Sequence, residues 1–280
     1  MTIGDLLAEG AEKLKTLPSK RLEASVLLSY VLKKNKVELY RGMLNHIDSS
    51  LVLDYRNLLK RRISGEPLCY ITGKRDFFGL EFSVNEFTLI PRHETELLVE
   101  EAIRFLKENE KTDVLEIGVG SGAISIALSY YCPSIFIDAV DLSNKALCVA
   151  AVNIKKYSMQ HRIRLLEGDL FAPVDRDKKY DLIISNPPYI PTNDIPSLSK
   201  EVQAEPLLAL DGGMDGLSIL RRIIHDSLDF LKPGGSLILE INGKLQEKKI
   251  TQLFYEHGYR KVFQKKDLAS IPRVIGGSKC

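Results

Sequence analysis

The spacing of apolar positions changes character twice along the chain. Ile3, Leu6, Leu7, Gly10 and Leu14 recur at helical intervals, with Thr2 placed to cap them. After the punctuation at Pro18-Ser19, the pattern resumes at Leu22, Val26, Leu27, Tyr30 and Val31. A third segment covers Val37 to Leu44, and a fourth covers Leu51 to Ile63 with Leu51, Tyr55, Leu58 and Leu59 on one side. No strand-like run interrupts these segments, which predicts a small helical bundle. At Gly65-Glu66-Pro67 the pattern changes. Asp76 to Val84 alternates around Gly79, as a hairpin linker would. Pro91 closes an extended run. Beyond it Leu97, Leu98, Ala102, Ile103 and Leu106 predict a helix whose first turn is acidic, as the helix dipole favours. From Asp113 onward short apolar runs alternate with helical ones. Strands are expected at Val114–Ile117, Ile135–Val140, Arg162–Leu166, Tyr180–Ser185 and Ser236–Ile241, and a closing hairpin over Tyr259–Lys265 and Arg273–Gly276. Helices are expected at Ala123–Tyr130, Asn144–Ile154, Leu217–Leu231 and Leu245–His257. This is the signature of an α/β fold with a Rossmann-like sheet. The expected division is a helical domain over 1–73, a hairpin linker over 74–90 and an α/β domain over 91–280.

The chemistry gathers where the predicted strands end, the edge at which open α/β sheets bind ligands. Gly118-Val119-Gly120-Ser121-Gly122 forms the turn after one strand, and its glycines let a ligand approach the main chain. The N–H groups of the following helix favour a negative group there. Asp141 ends the next strand, where a carboxylate can accept both hydroxyls of a ribose. Gly168-Asp169-Leu170-Phe171 follows a third, with Asp169 or a neighbouring backbone group available to an adenine and Leu170 to its face. Asn186-Pro187-Pro188-Tyr189 follows a fourth. Two prolines cannot continue a strand, so the chain turns at once. Asn186 then offers an amide oxygen, and the carbonyl of Pro187 is a second acceptor with no N–H beside it. Two close acceptors suit a planar NH₂ group. Tyr189 adds a flat face and a hydroxyl.

Composition removes several classes. The formal charge of +2 implies no global nucleic-acid field, although Lys33, Lys34, Lys36 and Arg41, and then Lys60, Arg61 and Arg62, cluster on the predicted helices. The four cysteines, Cys69, Cys132, Cys148 and Cys280, form no CxxC pair, and the five histidines are dispersed. That pattern predicts reduced thiols and no metal site. No signal peptide and no apolar run of bilayer length is visible, so a cytoplasmic protein is expected.

The glycine turn alone leaves two enzymes open. Gly118, Gly120 and Ala123 fit the dinucleotide pattern, and Asp141 stands at the right remove for a nicotinamide ribose. A hydride-transfer enzyme, however, has no use for a paired-acceptor turn on the fourth strand, whereas a methyltransferase acting on a planar nitrogen does. A non-catalytic protein on the same fold would have no reason to keep Asn186.

Across nearly its whole length the sequence resembles the HemK/PrmC family, which methylates a glutamine side-chain amide in peptide chain release factors with S-adenosylmethionine. The resemblance is carried by Gly65-Glu66-Pro67 through Thr72-Gly73, by Leu89-Ile90-Pro91-Arg92 with Glu94-Thr95-Glu96, by Asn186 through Pro191, and by Glu205-Pro206 with Ala209-Leu210 and Gly212-Gly213. Asn-Pro-Pro-Tyr is shared with enzymes that methylate adenine or guanine amino groups in DNA or RNA, which is the alternative reading. The first two blocks and the Glu-Pro block favour release factors. Val119, His93 and Asn242, the last after Glu240-Ile241, depart from the family's usual residues, as does the tail from Asp267 to Arg273.

The resemblance implies an S-adenosylmethionine-dependent methyltransferase with a small N-terminal helical domain that docks the release factor around its Gly-Gly-Gln tip. Gly118, Val119, Gly120, Ser121 and Gly122 would hold the methionine part of the cofactor, with Glu116 beneath it and Arg92 and Thr95 near its carboxylate. Asp141 would hold the ribose, and Asp169 and Leu170 the adenine. Asn186, also near the cofactor, would bind the glutamine amide together with Pro187 and Pro188, and Tyr189 would pack against it, with Asn186, Pro187 and Tyr189 as the catalytic residues. A monomer is expected, with no need of membrane, nucleic acid or metal.

Overall fold

A computed structural model describes residues 1–280, the side chains of 244 and 245 excepted. The chain forms two compact units. One is Met1–Gly73 together with Ser199–Ala204; the other is Lys74–Leu198 together with Glu205–Cys280.

The first unit holds α1 (Ile3–Lys13), α2 (Lys20–Leu32), α3 (Lys36–Arg41), α4 (Ser49–Ile63) and the single turn α5 (Leu68–Thr72). Thr2 and Asp5 cap α1 reciprocally. The Thr2 hydroxyl accepts from the Asp5 N–H at 3.2 Å, and the Asp5 carboxylate accepts from the Thr2 N–H at 2.9 Å. Asn35 and Glu38 do the same for α3. Ile3, Leu6, Leu14, Leu27, Leu28, Tyr55 and Leu59 are fully buried, and each aliphatic side chain stabilises the unit by roughly 1.5–3 kcal/mol. Gly10 lets α1 and α4 approach closely, since a Cβ there would lie 1.9 Å from the Tyr55 hydroxyl. The buried face of α4 is Val52, Tyr55, Leu59 and Arg62, so it is turned from the one centred on Leu51 and Leu58. The reason is Arg62. Only 3% exposed, it binds Glu23 of α2 and Glu201 of the returning segment. Arg61 pairs with Glu66 at 2.5 Å. The run Lys60-Arg61-Arg62 is therefore not one solvated basic face. Lys60 is exposed, Arg61 is paired and Arg62 is interior.

The second unit opens with β1 (Lys74–Phe77) and β2 (Leu80–Ser83), a hairpin turned by Phe78 and Gly79 at φ 50° and 76°. Positive φ at both central residues gives the twist that tight hairpins need. Alternation sends Phe77 and Phe82 into the core, and the Ser83 N–H donates to Asn153 Oδ1 at 2.8 Å. Then follow α6 (Glu94–Glu108), β3 (Asp113–Ile117), α7 (Ala123–Tyr131), β4 (Phe136–Asp141), α8 (Asn144–Lys156), β5 (Ile163–Glu167) and β6 (Tyr180–Ser185). The short α9 (Lys200–Gln203) lies in the returning segment. Beyond it come α10 (Ser218–Phe230), β7 (Leu231–Glu240), α11 (Gly243–Glu256), β8 (Arg260–Lys266) and β9 (Pro272–Ser278). β7 begins earlier than its apolar run because Tyr180 pairs with Leu231 across a bulge.

The seven strands lie in the order β5-β4-β3-β6-β7-β9-β8; β9 alone runs antiparallel to its two neighbours, so β8 is again parallel to the rest. Val114, Leu182, Ile184 and Ile238 face one core with residues of α6, α7 and α8. Leu115, Ile183, Leu237 and Leu239 face the other with residues of α10 and α11. A strand that buries both faces reads as a continuous apolar run, which is how Tyr180–Ser185 reads. From β3 the chain steps outward to β4 and β5, then returns to β6 on the other side. The reversal point lies between β3 and β6, where a crevice opens at the carboxyl ends. Ile117 is in register with Ser185, so the loops beginning at Gly118 and Asn186 leave the sheet side by side.

Candidate active site

A cavity of about 390 Å³ occupies that crevice. Its floor is the glycine loop. Gly118, Gly120 and Gly122 adopt φ of 79°, 54° and 82°, a region costly for any residue with a Cβ. The loop is held from below by Asp141: its Oδ2 accepts from the Gly120 N–H at 2.8 Å and its Oδ1 from the Ser143 N–H at 2.9 Å. Burial pushes the Asp141 carboxyl up despite these bonds. Gly118, Val119, Gly120 and Ser121 line the cavity, whereas Gly122 lies behind them as the residue preceding α7. Asp141, Asp169 and Leu170 line it as well. The Asp169 carboxylate binds the Arg222 guanidinium at 2.6 Å, which leaves the backbone of that loop and the Leu170 side chain toward the interior.

Glu116 ends up beneath the loop, 1% exposed. Ser125 donates to its Oε2, while Oε1 has no hydrogen-bond partner. Burial, with a smaller push from the Asp141 charge, raises its carboxyl to about 8. That oxygen is an unused buried acceptor in a residue that lines the cavity, and a cation arriving there would favour the ionised carboxylate.

At the opposite wall are Asn186, Pro187 and Pro188. Asn186 Nδ2 donates to the Thr95 hydroxyl at 3.1 Å. In this orientation Oδ1 remains available as an acceptor. Tyr189 does not line the cavity. Its ring packs on the core beneath, and its hydroxyl donates to Glu240 Oε1 at 3.1 Å. Arg92 lies outside the lining also. It pairs with Glu205, whose other oxygen accepts from the Ile90 N–H at 3.0 Å, and so the segment before α6 is tied to the loop after α9. Pro91, Phe87 and Leu89 from that segment, and Pro206 to Ala209 from that loop, complete the walls.

A model of the PrmC N-terminal domain matches residues 5–73, and one of the methyltransferase small domain matches residues 93–205. The release factor glutamine methyltransferase of Geobacter sulfurreducens is 40% identical, over 94% of this chain and 91% of its own. That of Clostridium acetobutylicum is 35% identical, over 90% and 89%. This chain belongs to the release factor glutamine methyltransferase family. Among solved structures, a methyltransferase from Pyrococcus furiosus is similar with a TM-score of 0.53 at 20% identity, covering 80% of this chain and 98% of its own. The catalytic domain of hMettl16 gives 0.59 at 17%, covering 79% and 82%. These two show the fold alone.

S-adenosylmethionine, the family's cofactor, fits the residues present. It is a cation at sulfur and at its amino group, and Glu116 Oε1 is a buried acceptor without a partner. Its methionine end needs close access to main chain, and the glycine loop gives it. Two residues near the site, Glu205 and Glu240, have no role assigned from sequence. Glu205 reads as part of a Glu-Pro turn, and its role comes only from the pairing with Arg92. Glu240 was visible as an acidic residue closing the apolar run Ser236–Ile241, one strand from Asn186, and that placement is the signal.

Proposed function

We propose that this protein transfers a methyl group from S-adenosylmethionine to the side-chain amide nitrogen of the glutamine in the Gly-Gly-Gln motif of peptide chain release factors. The observation that supports the reading is that Asn186, whose NH₂ donates to Thr95, lines the cavity together with Pro187 and the glycine loop. Bound in the cavity, the cofactor supplies an electrophilic methyl group on a sulfonium.

Everything else is the work of the chain. Glu116 provides the counter-charge beneath the glycine loop. Asp141 receives the ribose hydroxyls with the lone pairs that its two backbone bonds leave over. Leu170 covers the adenine, whose edge is met by backbone groups of 168–170. Asn186 Oδ1 and the Pro187 carbonyl accept the two hydrogens of the glutamine NH₂. An amide nitrogen is a weak nucleophile because its lone pair is delocalised into the carbonyl. Two acceptors hold its plane and aim it, and they bind more strongly as positive charge develops on nitrogen, which after the transfer gives up one hydrogen to water as a proton. That is positioning combined with preferential binding of the transition state. Tyr189 braces the clamp from behind. The helical unit holds the release factor, so that remote contacts assist positioning of the amide. We assign a monomer acting in the cytoplasm, where release factors work. Among the described residues no helix is long and apolar enough to cross a membrane.

The test is to incubate the protein with methyl-labelled S-adenosylmethionine and intact release factor, or duplex DNA or RNA, and to locate the label by fragmentation mass spectrometry. Label on the glutamine amide is expected. Label on a nucleic-acid amino group, or none on the glutamine, would overturn the reading.

A further inference from the structure

Phe87 is half-buried and lines the cavity, yet among the described residues it belongs to neither hydrophobic core of its unit. It has no task in the mechanism above. The segment that carries it is tied down on both sides. On one side Asn153 of α8 accepts from the Ser83 N–H at 2.8 Å, and its NH₂ donates to the Ser83 carbonyl at 2.9 Å and to the Ser121 carbonyl of the glycine loop at 2.8 Å. On the other side the Ile90 N–H donates to the buried Glu205 carboxylate at 3.0 Å. Between these anchors Asn85 organises a turn. Its Oδ1 accepts from the Phe87 N–H at 3.1 Å and its carbonyl from the Thr88 N–H at 3.1 Å. The turn packs Thr88 away from water, 1% exposed, and leaves the neighbouring Phe87 ring at the cavity wall. A ring placed there adds little to the core, and its apolar surface is covered only by what occupies the cavity.

The ring has one charged neighbour. Lys145, in the first turn of α8, sets its ammonium over the ring, 4.5 Å from the centroid. Ser143 and Ala146, on either side of that turn, line the cavity with Asp141, so Phe87 stands on the side of the ribose carboxylate. An ammonium is drawn to the negative face of an aromatic ring. It also pulls electron density toward itself, which makes the opposite face a poorer partner for a second cation. We propose that Phe87, held by Lys145, is a wall for the adenosine half of S-adenosylmethionine, with its free face against the ribose that Asp141 receives, and that it does not sense the sulfonium charge. Lys145 acts through the ring and is a positioning residue. The inference rests on the cofactor occupying this cavity, and not on which nitrogen is methylated.

The experiment is calorimetric binding of three ligands to the full chain: S-adenosylmethionine, S-adenosylhomocysteine and 5′-methylthioadenosine. Only the first carries the sulfonium, and the last lacks the amino-acid end. Phe87→Ala should weaken all three by the same factor, about tenfold, the scale of one aromatic face left without its contact. Lys145→Met keeps the apolar stem and removes the charge, and should weaken each by about two- to threefold. Combined with Phe87→Ala it should cost nothing more, because Lys145 works only through the ring. The chain contains no tryptophan, so Phe87→Trp introduces a single indole at the cavity wall. That variant should bind S-adenosylhomocysteine within a few-fold of wild type, with a saturable change in emission, and it decides the matter alone if Phe87→Ala does not fold. Wild-type affinities in folded Phe87→Ala, a loss confined to S-adenosylmethionine, a Lys145→Met effect that persists without the ring, or an indole emission indifferent to ligand would each overturn the proposal. Failure of the wild type to bind any of the three would instead sink the cofactor's place in this cavity.

Discussion

The helical unit and the catalytic unit both bury charge, and they treat it in opposite ways. In the helical unit Arg62 is answered on every side: Glu23 and Glu201 take its guanidinium, and Nη1 reaches the Glu66 carbonyl at 3.3 Å. In the catalytic unit Glu116 and Glu240 are each 1% exposed, and each keeps one carboxylate oxygen without a partner. Buried polar groups in folded proteins are nearly always paired, because an unpaired one costs about 1–3 kcal/mol. A charge satisfied from within the chain serves to hold elements together. A carboxylate left half-satisfied at a strand end is completed only by something that arrives or by a proton. The contrast separates architecture from chemistry more sharply than charge or burial alone.

The largest effect expected from this contrast lies in the helical unit. Arg62→Ala leaves Glu23 without its partner in the interior and should destabilise that unit by about 3 kcal/mol, the lower end of the range for a broken buried pair because Glu201 is itself partly exposed. Hydrogen exchange of α2 and α4 would show it, and protection unchanged from wild type would remove Arg62 from the architecture.

Next is the acceptor wall. Asn186→Ala should leave the fold and cofactor affinity in place and lower turnover by ~10²-fold or more, as loss of one positioned polar group at a reacting centre does. Turnover within a few-fold of wild type would sink the amide clamp.

The half-satisfied glutamates give an effect on both binding and stability. Glu116→Gln should weaken S-adenosylmethionine binding by about 1.5–3 kcal/mol, measured by calorimetry. Its carboxyl, like that of Glu240, is raised in the folded chain from 4.5, to about 8 and about 7 respectively. The native state therefore holds protons that the unfolded chain has released. As far as these groups decide it, stability of the cofactor-free protein should be greatest at and below pH 4.5 and should fall as pH rises from there through 7 to 8. Denaturant midpoints at several pH values would show that slope, flattened in Glu116→Gln. An identical slope in the variant would mean that Glu116 is not the group that titrates.

The smallest effect sharpens the comparison from within one helix. Arg61, next to Arg62, pairs with Glu66 in solvent, 46% exposed. Arg61→Ala should cost less than about 1 kcal/mol by the same denaturation assay. A loss as large as that of Arg62 would mean that exposure does not sort these charges.

Much of this protein was settled by local patterning. The capping residues of α1, the 3.6-residue period of the helices and the buried run of β6 are decisions made over a few residues, so the sequence displays them. The same holds for the glycine loop and for Asn186-Pro187-Pro188-Tyr189. A positive φ needs glycine and a double proline ends a strand, whatever surrounds them. What the sequence could not display depends on partners far along the chain. Lys60, Arg61 and Arg62 are one charge run in sequence, and only the return of Glu201, 139 positions after Arg62, makes one of them interior. Tyr189 reads as a face for substrate, and only the neighbouring strand brings Glu240, 51 positions on, to its hydroxyl. The Asn186 amide has two equivalent orientations in sequence. Thr95, 91 positions earlier, supplies the hydroxyl that the amide NH₂ meets, and only the folded chain brings that partner to it.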